Sequence, residues 1–251
     1  MENKNTEQYG SVICGRNPVL EAVRSGREID RLLVAHGVSG GSVTAIIAKC
    51  KAKGILIKEI SPQKLDYYCG GANHQGVAVM VASQEYSTPE EILESAKERN
   101  EKPFIIICDE IEDPHNLGAI IRSAEACGVH GIIIPKRRSA SLNATVAKSA
   151  SGALEYMKVA RVTNIANTID YLKENGVWVF GADMDGDDYT KTDFDTPCAI
   201  VIGNEGNGIG TLTAKKCDGI ISLPMCGKIN SLNASVAAGV LMYEVVRKRR
   251  P

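Results

Sequence analysis

The sequence predicts an α/β protein in two parts, the second built on a mainly parallel sheet. Three observations predict it. Runs such as FIIICDE (104–110), GIIIP (131–135) and AIVIGNE (199–205) are apolar almost without alternation, as strands buried on both faces are. They alternate with stretches of helical period, which calls for parallel strands with helices on both sides. A polar segment from Ser83 to Lys102, holding STPEE and ESAKERNEK, separates this half from a smaller α/β unit.

In chain order, the first ten residues read as disordered. Asn17-Pro18 starts a helix, with Asn as cap and Pro in the first turn, and Gly26 follows its end. RLLVA (31–35) is a strand. Ser42 caps a helix that shows Val43, Ile46, Ile47 and Cys50 on one face, and Gly54 closes it. ILIKEI (55–60) is a strand, Ser61-Pro62 opens a short helix, and GVAVMVA (76–82) is a further strand. The domain division read from this pattern is 10–83, a linker 84–102 with some helix of its own, and 103–251. In the second part the remaining strands are MKVARV (157–162), VWVFGAD (177–183) and GIISLP (219–224).

Composition narrows the class. With 44% hydrophobic and 24% charged residues the chain is an ordinary globular protein, and its few aromatics suit a core of Ile, Val, Leu and Ala. A net charge of −1 does not advertise nucleic-acid binding, so any such contact rests on local patches. Lys136-Arg137-Arg138 and Arg247-Lys248-Arg249-Arg250 are two, and each also reads as a solvated loop or tail. No two of the eight cysteines form a C-x-x-C pair, so neither zinc nor redox chemistry is expected, and no metal at all. They read as small buried hydrophobes in a reducing cytoplasm. The polar N-terminus lacks the apolar core of a signal peptide, and the longest apolar run, within Ser231–Glu244, is too short to span a bilayer.

Ligands of such sheets bind beyond the carboxyl ends of strands, and three strand ends are rich in polar residues and glycine. In DEIEDPHNLGAIIRSAEACG (109–128) a helix begins near Asn116, with Leu117, Ile120, Ile121 and Ala124 as its core stripe. Arg122 lies about 140° round from Leu117 and points away from that core, either into a site or to Glu125 at i+3. Gly118 sits on its face and admits a close backbone. In VIGNEGNGIG (201–210) the glycine spacing is not that of a dinucleotide fingerprint, and Glu205 would repel a pyrophosphate. A neutral base and ribose, or simply a glycine-rich turn, fit better. In LPMCGKINSLNASVAAG (223–239) Ser231 begins a long helix that is apolar all round as far as Glu244. Such a helix is buried on every side, in a core or against a second subunit.

Together, N-x-G-x-x-x-R (Asn116, Gly118, Arg122), I-G-N-E-G-x-G (202–208) and L-P-M-x-G-x-x-x-S-L-N-x-S (223–235) resemble the three motifs of the SpoU/TrmH-type (SPOUT-class) RNA ribose 2′-O-methyltransferases. The likeness covers roughly residues 103–251. GRNPVLEAV (15–23) and HQGVAVMV (74–81) add a weaker likeness to the branch that methylates guanosine in bacterial 23S rRNA. The resemblance implies an L30e-like substrate-binding domain followed by an α/β-knot domain with a deep trefoil knot. It implies S-adenosyl-L-methionine held by Gly203, Asn204, Glu205, Gly208, Leu223, Met225, Ser231 and Leu232, and a cytoplasmic homodimer with RNA as substrate.

A ribose hydroxyl is a poor nucleophile at neutral pH, so something must stabilise the alkoxide or remove its proton. An Arg supplies charge without having to ionise. On the resemblance Arg122 takes that role, acting across a dimer interface. Asn116, Glu205, Ser231 and Asn233 orient nucleotide and cofactor. Lys136, Arg137, Arg138, His74, Gln75 and the Arg16-Asn17 turn are candidates for phosphate contact. A tRNA target, a non-catalytic RNA-binding protein and a nucleotide-binding oxidoreductase are the rival readings.

Overall fold

The computed structural model describes residues 12–25, 27–82, 84–204 and 206–250. The expected disorder of the first ten residues, the helix-closing Gly26, Ser83 and Glu205 lie outside them.

The described residues fall into two compact units. The first comprises those up to Glu85 together with Ser141–Ala147. Its elements are β1 (Val12–Cys14), α1 (Arg16–Arg24), β2 (Ile29–Ala35), α2 (Gly41–Ala52), β3 (Leu56–Ile60), α3 (Pro62–Tyr68) and β4 (Val77–Val81). The sheet order is β1-β4-β2-β3; only β2 and β3 run parallel. β1 was not expected from the sequence: three residues are too few to show a period. Two caps differ from expectation. α1 starts from Gly15 (φ 95°) rather than Asn17, and α2 from Gly40 (φ 127°) rather than Ser42, because both entry turns need a left-handed residue. Ser61 does cap α3, accepting the Lys64 N–H.

The second unit holds α4 (Pro89–Glu98), β5 (Phe104–Cys108), α5 (Pro114–Ala126), β6 (Gly131–Pro135), β7 (Val159–Val162), α7 (Ile165–Glu174), β8 (Trp178–Asp188), β9 (Cys198–Ile202), α8 (Thr211–Lys216), β10 (Gly219–Ser222) and α9 (Ala234–Arg249); α6 (Ala144–Ala150), before β7, has its residues up to Ala147 in the first unit and the rest in the second. Six strands in the order β10-β8-β9-β5-β6-β7 pair wholly in parallel, as the unalternating runs require. Ile105 and Ile107 of β5 pack with Ile92 of α4 and Ile165, Ile169 and Leu172 of α7. On the other face α9 packs against α5 and β9.

The polar segment after Ser83 is more than a linker. Thr88 and Glu91 form a capping box at the start of α4, and Ile92, Leu93 and Ala96 are buried. Glu94, Lys97 and Glu98 of ESAKERNEK are on the solvent face of that helix, and the remaining charged residues of the run follow it.

One cation closes the amino end of the sheet. Arg249, in the last turn of α9, donates to the carbonyls of Phe194 (3.1 Å), Lys102 (2.8 Å), Pro103 (3.0 Å) and Thr196 (2.6 Å), and its guanidinium lies 5.3 Å from the centre of the Phe104 ring. Beside it, buried His130 accepts the Phe104 N–H and meets the Glu101 carboxylate at 3.0 Å. Burial pushes the His130 imidazole below its ordinary range, against the pull of Glu101. The basic C-terminal run is therefore not all solvated tail. Arg249→Ala is expected to destabilise the protein by about 2–4 kcal/mol, and Arg249→Lys to recover only part of this because an ammonium cannot serve the same fork of acceptors. Urea denaturation of the three proteins measures it.

Candidate active site

β9 ends at Ile202, and the next residues fold back on themselves. The Asn204 N–H donates to the Gly208 carbonyl (3.0 Å) and the Gly208 N–H to the Asn204 carbonyl (2.8 Å). A Cβ on Gly203 would stand 2.3 Å from the Gly208 carbonyl carbon, so only glycine fits there, and Gly208 itself has φ +65°. The Asn204 side chain accepts from the Gly206 N–H (2.8 Å) and donates to the Glu110 carbonyl (3.1 Å). Gly210 N–H donates to the buried Asp109 carboxylate (2.9 Å). Three of the loop's amides, those of Asn204, Gly206 and Gly208, are thus spent within it, unlike an open phosphate cradle.

The second wall is the loop from Leu223 to Asn233, which has no regular structure. Here the expected helix start is corrected. α9 begins at Ala234, and its cap is Asn233, whose Oδ1 accepts the Ser235 and Val236 N–H groups; Ser231 stands outside the helix. That frees the Ser231 side chain from capping.

The third wall came from a feature the sequence did not show. β8 runs on past its expected end to Asp188, and β10 pairs first with Gly181 and then with Asp187, so residues 182–186 bulge out between consecutive partners. The bulge is locked. A Cβ on Gly186 would lie 2.6 Å from the Ile220–Ile221 backbone, and the Ser222 hydroxyl donates to the Gly186 carbonyl (2.8 Å).

Between the three walls lies a cavity of about 450 Å³. Gly203, Asn204, Gly208, Leu223, Met225, Ser231 and Leu232, all expected at the cofactor, line it. Sequence reasoning missed Asp183, Met184, Asp185, Asn207 and Asn230. The acidic DMDGDD stretch was the available signal. Apolar Ile202, Ile221 and Leu232 suit a purine face, while backbone groups of the Gly203 loop and the Asn230 and Ser231 side chains suit its polar edges and a ribose. The cavity thus fits S-adenosylmethionine in size and in chemistry. Among the described residues no group of three or more His, Cys, Asp or Glu side chains gathers to hold a metal ion.

Asn116 and Asn233 come together beside it. Asn116 is buried in the first turn of α5, which Asp113 caps, and its Oδ1 accepts from Asn233 Nδ2 at 2.9 Å. Arg122 is not among the lining residues. It is exposed further along α5, where it meets the Ser151 hydroxyl (3.4 Å) rather than Glu125. In the same two turns of α5, Ala119 and Ser123 line a groove with Val236, Gly239, Val240 and Tyr243 of α9. The core of its own chain therefore does not bury α9 on every side: Val236 is 50% and Tyr243 56% exposed. The basic candidates separate too. Lys136 and Arg137 are exposed, whereas Arg138 pairs with Glu110 (2.8 Å). In the first unit Arg16 donates to the Gln75 carbonyl and the Ser42 hydroxyl, and His74 bonds Asp66 and the Gly76 N–H, so both hold their own loops in shape.

Gly203→Ala is expected to weaken S-adenosylmethionine binding by about tenfold or more, since the added methyl must push the Gly208–Ile209 backbone into the cavity wall. Titration calorimetry measures the loss, and far-ultraviolet circular dichroism unchanged from the parent checks that the fold persists.

Comparison with known proteins agrees with this geometry. The family model described as "SpoU rRNA Methylase family" matches residues 103–243, and that described as "RNA 2'-O ribose methyltransferase substrate binding" matches residues 12–87. A Bacillus subtilis protein named as a TrmH family tRNA/rRNA methyltransferase is 49% identical over 245 residues, 97% of this chain and 98% of its own. Among solved structures, the SpoU methyltransferase AviRb of Streptomyces viridochromogenes, in complex with AdoMet, is similar at a TM-score of 0.61 and 26% identity, covering 99% of this chain and 94% of that one. An AdoMet-bound rRNA methyltransferase from Sinorhizobium meliloti follows at 0.60 and 25%, covering 100% and 92%. The loops at 203–210 and 223–233 therefore stand at the strand ends of a SPOUT α/β fold, and the chain belongs to the SpoU/TrmH family of S-adenosylmethionine-dependent RNA methyltransferases.

Proposed function

We propose that this protein methylates the ribose 2′-hydroxyl of a guanosine in 23S ribosomal RNA, as a cytoplasmic homodimer. The observation that carries the reading is the placing of the site residues: the cavity and the Asn116–Asn233 pair share the strand ends, while Arg122 stands outside the cavity, on the helix whose Ala119 and Ser123 line an exposed apolar groove. A second copy packed along that groove would bring its own Arg122 toward the neighbouring cavity. Residues 103–251 form the catalytic part, knotted as the resemblance implies; α9, which follows the edge strand β10, returns to α5 and β9 in mid-sheet, and this supports the threading. Residues 10–83 bind the RNA, with 84–102 between, and Lys136 and Arg137 add phosphate contacts.

S-adenosylmethionine, when bound, supplies a methyl group already activated on a sulfonium, so this chain's work is positioning and charge. Gly203, Asn204, Gly208, Leu223, Met225 and Leu232 hold the cofactor. Ser231 and Asn116 orient the nucleotide, Asn233 holds Asn116, and Glu205 takes a donor from nucleotide or cofactor. Arg122 stabilises the developing alkoxide. Ribosomal rather than transfer RNA is favoured by coverage. The rRNA methyltransferase of Sinorhizobium matches the whole chain, while a TrmH/SpoU tRNA modifying enzyme of A. aeolicus, 27% identical, covers 59% of it.

Incubation with methyl-labelled S-adenosylmethionine and either 23S rRNA or bulk tRNA, followed by mapping of 2′-O-methyl marks, tests the reading. A single guanosine mark in 23S rRNA is expected, and a mark confined to tRNA overturns the choice of substrate. Arg122→Ala is expected to lower methyl transfer by about 100-fold or more while cofactor affinity stays within about threefold. Equal loss of both would make Arg122 structural. Light scattering at micromolar concentration should give a dimer; a monomer contradicts the shared site.

A further inference from the structure

The geometry points to Asp183 as the residue that biases the cavity toward cationic S-adenosylmethionine relative to neutral S-adenosylhomocysteine. This rests on the cavity being the cofactor site, as proposed above. Transfer forms a bond between the methyl carbon and the ribose oxygen and breaks the bond between that carbon and sulfur. The bonding pair stays on sulfur, and the hydroxyl proton passes to solvent water. At neutral pH the α-ammonium and carboxylate cancel in both forms, so the substrate carries one positive charge, on sulfur, and the product none. A negative wall therefore acts on the one and not on the other.

The described lining of the cavity includes Asp183 and Asp185 and no lysine or arginine. The two differ in setting. Asp185 is exposed, where water and salt screen it, while Asp183 is half-buried. The Asp183 Oδ2 lies 3.1 Å from where a Cβ on Gly208 would stand, so the carboxylate rests over the backbone of the cofactor loop. Gly186 and Ser222 lock the bulge that carries it. A fixed, partly desolvated carboxylate on a cavity this small reaches any ligand in it through space, without a direct bond. Its effect is on the bound ground state and on release: it favours exchange of spent for fresh cofactor and adds nothing to the methyl-transfer step.

Titration calorimetry of the whole protein and its Asp183→Asn variant with S-adenosylmethionine, S-adenosylhomocysteine and sinefungin, which carries an ammonium in place of the methyl sulfonium, tests this. The variant is expected to bind both cationic ligands about fivefold or more weaker, with S-adenosylhomocysteine changed less than about twofold. Equal weakening of all three, or no change in any, overturns the inference. A second arm uses the unaltered protein, so it stands even if the variant fails to fold. Raising salt from low to 0.5 M should shrink the affinity for S-adenosylmethionine more than that for S-adenosylhomocysteine, by about twofold or more; parallel salt dependence overturns the inference. Unaltered protein that binds none of the three sinks the cavity assignment itself, whereas binding without charge discrimination sinks only the role of Asp183.

Discussion

The side-chain amide of Asn233 joins what the rest of the site depends on. Its oxygen accepts the Ser235 and Val236 N–H groups and so starts α9; its nitrogen donates to Asn116 in the first turn of α5. One group thus ends the Leu223 loop, begins the last helix and fixes it to the helix that carries Arg122. Only an amide does all of this, because it holds a donor and an acceptor on one short stem. Aspartate would cap α9 but could not donate to Asn116, and serine would not reach both. The residue is required by the crossing of two helices next to a cavity, a reason that neither helix supplies alone.

The same reasoning separates what was legible in the sequence from what was not. The buried strands of the second unit and the stripe Leu117, Ile120, Ile121, Ala124 were legible because apolar burial leaves a period in the chain. The cofactor loops were legible because glycines and a polar cap punctuate strand ends. The identity of the α9 cap was not. Ser231 and Asn233 are both good caps, and what decides between them is Asn116, more than a hundred residues away. The bulge in β8 was equally hidden: it exists because β10 skips from Gly181 to Asp187, a fact about pairing partners that DMDGDD does not announce. Local signals reported elements, and long-range pairing decided which polar residues met.

The burial of α9 illustrates the limit in reverse. Its composition, apolar from Val236 to Tyr243, reads as a helix covered on all sides. In the chain by itself one side packs on α5 and β9 through Ala238, Leu241, Met242 and Val245, and the other leaves Val236, Val240 and Tyr243 open. Helical period alone would make the second side polar in a protein that works as a single chain. An apolar strip flanked by Ser123, Glu244 and Arg247 is the pattern of a face meant to be covered.

Covering that face bears on the chemistry. The cavity fits S-adenosylmethionine, yet its described lining offers no cation to stabilise a ribose alkoxide, the role proposed for Arg122. The walls in fact run the other way, with carboxylates at Asp183 and Asp185. A permanent arginine in the same cavity would oppose the sulfonium that must sit there. In the proposed dimer a cation delivered from a neighbouring copy would separate the two demands: one chain would keep a negative pocket for a cationic cofactor, and the other would present a positive group where the alkoxide develops. On this argument the proposed division of the site between two chains would follow from the opposite charges of cofactor and nucleophile.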